Sequence, residues 1–284
     1  MTTISGTTRL TGIIGWPVAH SLSPAMHNAA FAALGLDMVY VALPVPPAHV
    51  RAAIEGLAAL GFRGVNVTMP HKAAVLPYLD TVSDDARLVA AVNTIVVDDQ
   101  GAQAGHNTDV GGFVAALHEA VPEGVAGADV LLLGAGGAAR AAALGLARQG
   151  IARCTVAVRR IAQGEELASR LGAVAPGLRF EVVALDELEG EAVRAADVVV
   201  NATPLGMDDS LKVPGVLVDN IRRDHIVYDV VYGQRPTTPL ARARAQGARA
   251  IAGSAMLAWQ AALAFQLWTG RAAPLEVMRS AARR

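Results

Sequence analysis

The feature that most restricts this chain is an alternation that runs almost its whole length. Between Leu10 and Ile251, short apolar runs rich in Val, Ile and Leu are separated by segments carrying helix signals. Strands joined by crossover helices lie parallel, which is the pattern of an α/β fold. In the first half the predicted strands are Leu10–Gly15, Met38–Leu43, Gly64–Val67 and Thr94–Val97. Helices are predicted over Pro24–Leu34 with Ser23 as N-cap, over Ala48–Leu60, from Pro70 onward, over Ala86–Ala91 and over Asp109–Ala120. Pro122–Gly127 interrupts the pattern. Beyond it come strands at Val130–Leu133, Cys154–Val158, Phe180–Val183, Val198–Asn201, Ile226–Val230 and Arg249–Ile251. Helices to Arg148, over Glu165–Leu171, Glu187–Ala195 and Pro239–Gln246, then Ala255–Trp268 and Pro274–Ala282, complete the chain. Two such series predict two α/β domains with parallel sheets and a cleft between them. A length of 284 residues agrees with roughly two domains.

Composition narrows the function classes. The chain is 53% hydrophobic and 17% charged, which excludes intrinsic disorder. Its net charge of −1 lacks the basic excess of a nucleic-acid binder, so no nucleic-acid partner is expected. Cys154 is the only cysteine, which excludes an internal disulfide and a cysteine-based zinc site. The seven histidines show no H-E-x-x-H or similar spacing, so no metal is expected. A reducing, cytoplasmic setting fits, and the N-terminus lacks the pattern of a signal peptide. Gly253–Gly270 is uncharged, but it contains Ser254, Gln260, Gln266 and Thr269 and is short for a span of ~20 residues. It reads as a buried helix, so no membrane association is expected. Of 24 basic residues only Lys72 and Lys212 are lysines. Lysine, unlike arginine, gives up its proton when its surroundings lower its pKa.

Leu131-Leu132-Leu133-Gly134-Ala135-Gly136-Gly137-Ala138-Ala139 is strand, glycine turn and helix start. It fits G-x-G-x-x-G/A, in which the glycines allow a tight turn and close approach to a pyrophosphate at a helix N-terminus. A Rossmann-type, parallel-sheet dinucleotide-binding domain follows. An NAD site usually carries Asp or Glu at the end of the next strand. Here that strand ends in Arg159-Arg160, with no acid before Glu165. Two guanidiniums suit a 2′-phosphate, so NADP is favoured over NAD.

Three polar clusters fall where predicted strands give way to helices. Ser21-Leu22-Ser23-Pro24 offers two hydroxyls at a helix N-terminus, although an ordinary N-cap at Ser23 is the favoured local reading. Asn66-Val67-Thr68-Met69-Pro70-His71-Lys72 places an amide, a hydroxyl and an amine together. A cation in the first turn of a helix is unfavourable, which weighs against Lys72 being a plain surface lysine. Asn107-Thr108-Asp109 is either a helix cap or a catalytic carboxylate, with the cap favoured locally.

Taken together, these clusters resemble shikimate dehydrogenases. Ser-x-Ser-Pro, Asn-Val-Thr-x-Pro-x-Lys, Ala91-Val-Asn93-Thr94, Asn107-Thr-Asp109 and Gly134-Ala-Gly-Gly137 stand in that family's order. Asn201-Ala-Thr203-Pro-Leu-Gly206-Met207, Tyr228-Asp229-Val230-Val-Tyr232 and Gly253-Ser-Ala-Met256-Leu-Ala-Trp-Gln260 continue the series. The resemblance implies NADP-dependent, reversible reduction of 3-dehydroshikimate to shikimate, a step of aromatic amino-acid biosynthesis. Lys72 and Asp109 would be the catalytic pair. Ser21 and Ser23, helped by Tyr232, would bind the substrate carboxylate, and Asn66, Thr68, Asn93 and Gln260 the ring hydroxyls. Gly134, Gly136, Gly137 and Ala138 would cradle the cofactor diphosphate, with Ala135 also binding the cofactor, and Arg159 would meet its 2′-phosphate, to which Arg160 adds a second guanidinium of this chain's own. Thr203 and Met207 would line the nicotinamide side, and Val230 and Gly253 would also bind the cofactor. The implied domains are residues 1–106 with 252–284 for substrate and 107–251 for NADP, in a monomer or homodimer.

The chain also departs from the family's usual pattern. Val158-Arg159-Arg160 stands where Asn-Arg-Thr is common, and Gln163 where a basic residue is common. His106 replaces a frequent tyrosine, and Gly233-Gln234-Arg235-Pro236 replaces a Tyr-x-Pro turn. The alternatives are a quinate or dual quinate/shikimate dehydrogenase, and a catalytically silent ligand-binding regulator on the same scaffold.

Overall fold

A computed structural model describes residues 4–208, 210–233 and 235–283, so Gln234 of the altered turn lies outside the described residues. The chain forms two compact units, Met1–Gly112 with Ala258–Arg284, and Phe113–Leu257.

The first unit is built on a six-stranded sheet. Its strands are β1 (Arg9–Gly15), β2 (Met38–Pro44), β3 (Phe62–Val67), β4 (Thr81–Val82), β5 (Thr94–Val97) and β6 (Gln103–His106), in the order β2-β1-β3-β5-β6-β4. Helices α1 (Ser23–Ala33) and α2 (Val50–Ala59) are the two crossovers that carry β1 to β2 and β2 to β3. Ile14, Ile54, Leu57, Val65, Val67 and Ile95 form one buried cluster under α2. Strand alternation sends Gly64, Asn66 and Thr94 to the opposite face.

This sheet is mixed, which corrects the expectation of a parallel one. β5 runs antiparallel to both β3 and β6. The cause is the short Asp98–Ala102 turn: Asp98 N donates to Ala102 O at 3.0 Å, and Asp98 Oδ1 accepts from Gln100 N and Ala102 N. So short a connection permits only an antiparallel pair. The helix expected from Pro70 is also absent, replaced by turns and a single 3₁₀ turn at Leu76–Tyr78. Lys72 O accepts from Val92 N at 2.8 Å and is therefore withdrawn from any helical ladder. The helix predicted over Ala86–Ala91 is α3 (Asp84–Leu88), which stops before Ala90 at φ +48°.

The chain passes to the second unit within α4 (Thr108–Ala120). Its sheet contains β7 (Asp129–Leu133), β8 (Arg153–Val158), β9 (Arg179–Ala184), β10 (Val198–Asn201), β11 (Ile226–Asp229) and β12 (Arg249–Ala252), ordered β12-β11-β10-β7-β8-β9. All neighbouring pairs are parallel. The crossover helices are α5 (Gly137–Arg148), α6 (Ile161–Gly172), α7 (Gly190–Ala195), α8 (Gly215–Asp219) and α9 (Thr238–Gln246). The order reverses between β7 and β10, the place where doubly wound sheets bind ligands beyond their carboxyl ends. The chain returns within α10 (Gly253–Thr269) and ends in α11 (Leu275–Ala282). Among the described residues no helix is long and apolar enough to cross a membrane. In the uncharged α10, Ala258, Ala261, Ala264, Phe265 and Trp268 are buried.

Candidate active site

Within the first unit, the carboxyl ends of β1 and β3 and the amino end of β5 share one edge of the sheet. Asn66 and Thr94 lie directly opposite across the β3–β5 pair. The Asn66 Nδ2 donates to Asn93 O at 3.1 Å and to Thr94 Oγ1 at 3.0 Å. Thr94 Oγ1 donates to Asn93 Oδ1 at 3.1 Å, and Thr108 N donates to the same oxygen at 2.7 Å. Asn93 Nδ2 in turn donates to Thr108 Oγ1 and to Asp109 Oδ1, both at 2.9 Å.

The other carboxylate oxygen of Asp109 meets Lys72. Lys72 Nζ donates to Oδ2 at 2.5 Å, with the lysine side chain 22% exposed and the aspartate 8%. The helix-cap reading of Asp109 is thereby corrected. Asn107 does the capping, with Oδ1 accepting from Val110 N at 3.3 Å, and Asp109 sits in the first turn with its carboxylate held by Lys72 and Asn93. Because no helix opens at Pro70, Lys72 faces no helix dipole there. What sets it apart from a surface lysine is its ion pair with a nearly buried carboxylate. Opposite charges this close and this dry hold each other far more firmly than an exposed pair.

Ser23 is likewise no N-cap. The cap of α1 is Leu22, with no side-chain cap bond, and Ser23 N donates to Ser21 Oγ at 3.2 Å. Thr68 follows β3, its N–H bonded to Ile14 O at 2.9 Å. Gln260 lies on α10 where that helix packs against the start of α4. A Cβ on Gly112 would fall 2.8 Å from both Cβ and N of Gln260, so only glycine fits there. Ser21, Ser23, Asn66, Thr68, Lys72, Asn93, Asp109 and Gln260 therefore all belong to the first unit.

The second unit gathers its candidate residues beyond the carboxyl ends of its strands. Gly134 ends β7 at φ +100°, and a Cβ there would lie 2.9 Å from Thr203 Cγ2. Gly136 is exposed with nothing within 4 Å of a Cβ, and it caps α5 without a side-chain bond. The first turn of α5 carries no acid. Open backbone at an uncapped helix N-terminus suits a diphosphate. Ala135, Gly137 and Ala138 complete this turn. Arg159 and Arg160 leave β8 exposed, and neither forms an ion pair among the described residues. These features fit a dinucleotide bearing a 2′-phosphate.

Thr203 is positioned by Asn201, whose Oδ1 accepts from the threonine hydroxyl at 2.7 Å. Asn201 Nδ2 donates to Asp229 Oδ1 at 3.0 Å, and Thr237 Oγ1 donates to Oδ2 at 2.6 Å. Burial raises the Asp229 pKa, against the pull of these bonds. Val230 bonds back to Asn201 O at 2.9 Å, and a Cβ on Gly253 would strike Val230 O at 2.2 Å. Met207 and Tyr232 are exposed. Among the described residues no cluster of metal-ligating side chains occurs.

Thr94 and Thr108 stand within the sequence motifs but carry no role predicted from them, and Tyr40 lies outside those motifs entirely. Tyr40 OH donates to Asn66 Oδ1 at 2.7 Å. The one available signal was a hydroxyl-bearing aromatic in the middle of an otherwise apolar strand.

Comparison with known proteins agrees along the chain. Residues 13–95 match the family described as shikimate dehydrogenase substrate binding domain. Residues 116–205 match shikimate / quinate 5-dehydrogenase, and residues 253–283 match shikimate 5′-dehydrogenase C-terminal domain. A protein of Symbiobacterium thermophilum named shikimate dehydrogenase (NADP(+)) is 48% identical, over 99% of this chain and 95% of its own length. The structure of shikimate 5-dehydrogenase from Thermus thermophilus in complex with NADP(H) and shikimate is 38% identical, with a TM-score of 0.84 over 97% of this chain and 99% of that one. Quinate dehydrogenase from Corynebacterium glutamicum in complex with NAD is 35% identical, with a TM-score of 0.89 over 96% and 98%. With motifs, sheet order and near full-length relatives in agreement, the chain belongs to the shikimate dehydrogenase family.

Proposed function

We propose that this chain is an oxidoreductase that reduces 3-dehydroshikimate to shikimate, reversibly and with NADP, as a cytoplasmic step of aromatic amino-acid biosynthesis. The observation that carries the mechanism is the Lys72–Asp109 pair, 2.5 Å apart and fixed from behind by Asn93. The unit of Met1–Gly112 and Ala258–Arg284 takes the substrate, and Phe113–Leu257 takes the dinucleotide.

Bound NADPH supplies the hydride. Negative charge grows on the carbonyl oxygen as the hydride arrives, so a proton donor must stand within hydrogen-bond reach. The Lys72–Asp109 pair holds that proton, and a pair this tightly coupled titrates as a unit. Asp109 keeps the Lys72 ammonium aimed, and Asn93 keeps Asp109 from rotating. Ser21 and Ser23, free of capping duty, bind the carboxylate at the start of α1. Asn66, Thr68 and Gln260 hold the ring, with Asn93 contributing mainly through Asp109 because both its amide hydrogens are engaged. Gly134 to Ala138 would hold the diphosphate and Arg159 and Arg160 the 2′-phosphate, while Thr203 and Met207, with Val230 and Gly253, would hold the rest of the dinucleotide.

Initial rates of shikimate and quinate oxidation, each with NADP⁺ and NAD⁺, test this reading. Turnover confined to shikimate with NADP⁺ is expected. The quinate alternative rests on the likeness to a quinate dehydrogenase. Comparable rates with quinate or NAD⁺ would establish it in place of the first reading. Folded protein that turns over none of the four pairs would leave a silent binding module.

A further inference from the structure

Tyr40 has no part in the mechanism above, yet three neighbours fix it. It sits on β2, the edge strand of its sheet, where its backbone would otherwise lack a partner on one side. Asn28 supplies that partner with its side-chain amide: Nδ2 donates to Tyr40 O at 2.8 Å, and Oδ1 accepts from Tyr40 N at 2.9 Å. The next residue back, His27, stacks its ring on the phenol at 4.4 Å between centroids and 8° between planes. Trp268 packs beside both rings, 5.9 Å from the phenol and 5.2 Å from His27. Tyr40 is 1% exposed, and its hydroxyl makes the 2.7 Å bond to Asn66 Oδ1.

That bond fixes what Asn66 can offer. Both amide hydrogens of Asn66 are already committed to Asn93 O and Thr94 Oγ1. With its oxygen held toward the phenol, Asn66 has only the second lone pair of Oδ1 left for a ligand. Burial raises the Tyr40 pKa well above that of a free phenol, with a hydrogen bond to Ser23 pulling the other way, so the hydroxyl stays a donor at any working pH. Burial lowers the His27 pKa to about 3, so no charge forms beneath it.

We propose that Tyr40 is a positioning residue for the substrate: it locks Asn66 so that the amide accepts a hydrogen bond from a ring hydroxyl and does not donate one. The inference rests on the functional reading above and deepens it at one subsite. Through Thr94 and Asn93 the same network continues to Asp109, so the ring acceptor and the proton-holding pair share one frame.

The test is Tyr40→Phe, alone and combined with Asn66→Ala, in the full-length enzyme. Tyr40→Phe is expected to raise the KM for shikimate about tenfold, the scale of one buried hydrogen bond. The KM for NADP⁺ and kcat should stay within about twofold. In the Asn66→Ala background the same change should have no further effect on the shikimate KM. An unchanged shikimate KM, an equal effect with and without Asn66, parallel rises in both KM values, or failure of Tyr40→Phe to fold would each overturn the proposal. Lack of shikimate turnover in the unaltered enzyme would instead overturn the functional reading, and this inference with it.

Discussion

At the scale of single residues, the proposed function separates groups that would meet substrate from groups that hold them. Lys72→Ala removes one member of the proposed proton-holding pair while leaving Ser21, Ser23 and Asn66 in place. Its kcat should fall about 10²–10⁴-fold with shikimate binding retained, read by steady-state kinetics and calorimetry. Asp109→Asn should lose nearly as much. An amide that accepts from Asn93 turns its NH₂ toward the Lys72 ammonium, donor against donor. His27 makes a different prediction. Neither ring nitrogen has a partner, and burial lowers its pKa to about 3, against about 6.5 in an unfolded chain. As pH falls below ~6.5 the unfolded chain takes up a proton that the folded one refuses, so stability is lost progressively from ~6.5 down to ~3. The loss is about 2 kcal/mol at pH ~5. Thermal melts of His27→Leu between pH ~7 and ~5 should therefore fall less steeply than those of the unaltered protein.

At the scale of elements, close approach decides which residues are tolerated. Trp268 Nε1 donates to Ile95 O at 3.0 Å directly above Gly64, where a Cβ would lie 2.2 Å from Ile95 O and 2.4 Å from that nitrogen. Gly64→Ala should destabilise the protein by about 3 kcal/mol, roughly 10 °C in melting temperature by calorimetry. The apolar periods of β7, β8, β10 and β11, bounded by turn residues, made the second sheet legible, and the Gly134 turn located its binding edge. The first sheet was less so. β6, Gln-Ala-Gly-His, has no apolar period, because its strand character comes from pairing with β5 across the Asp98 turn. The non-helical turn at Lys72 is pinned by Val92, a residue twenty positions on, and local propensity carries no trace of it. Site chemistry was legible where residue types are rare, as at Lys72. It was hidden at Ser23 and Asp109, whose capping alternatives only three-dimensional partners could remove.

At the scale of the whole molecule, the substrate-binding candidates other than Tyr232 fall in one compact unit, and Tyr232 falls with the dinucleotide-binding candidates in the other. Ser23→Ala should raise the KM for shikimate several-fold without altering that for NADP⁺. Arg159→Ala with Arg160→Ala should raise the KM for NADP⁺ about 100-fold, as two charge-assisted contacts imply, and leave NAD⁺ and shikimate nearly unaffected. A matrix of KM values for the two variants and both ligands checks this. The interrupted course of the first unit also has a meaning during synthesis. Phe31, His27 and Tyr40 are covered by Phe265 and Trp268, which leave the ribosome more than 200 residues later. The second unit is contiguous and can close while the first still waits for its cover. For that interval the nascent chain carries an uncovered aromatic face.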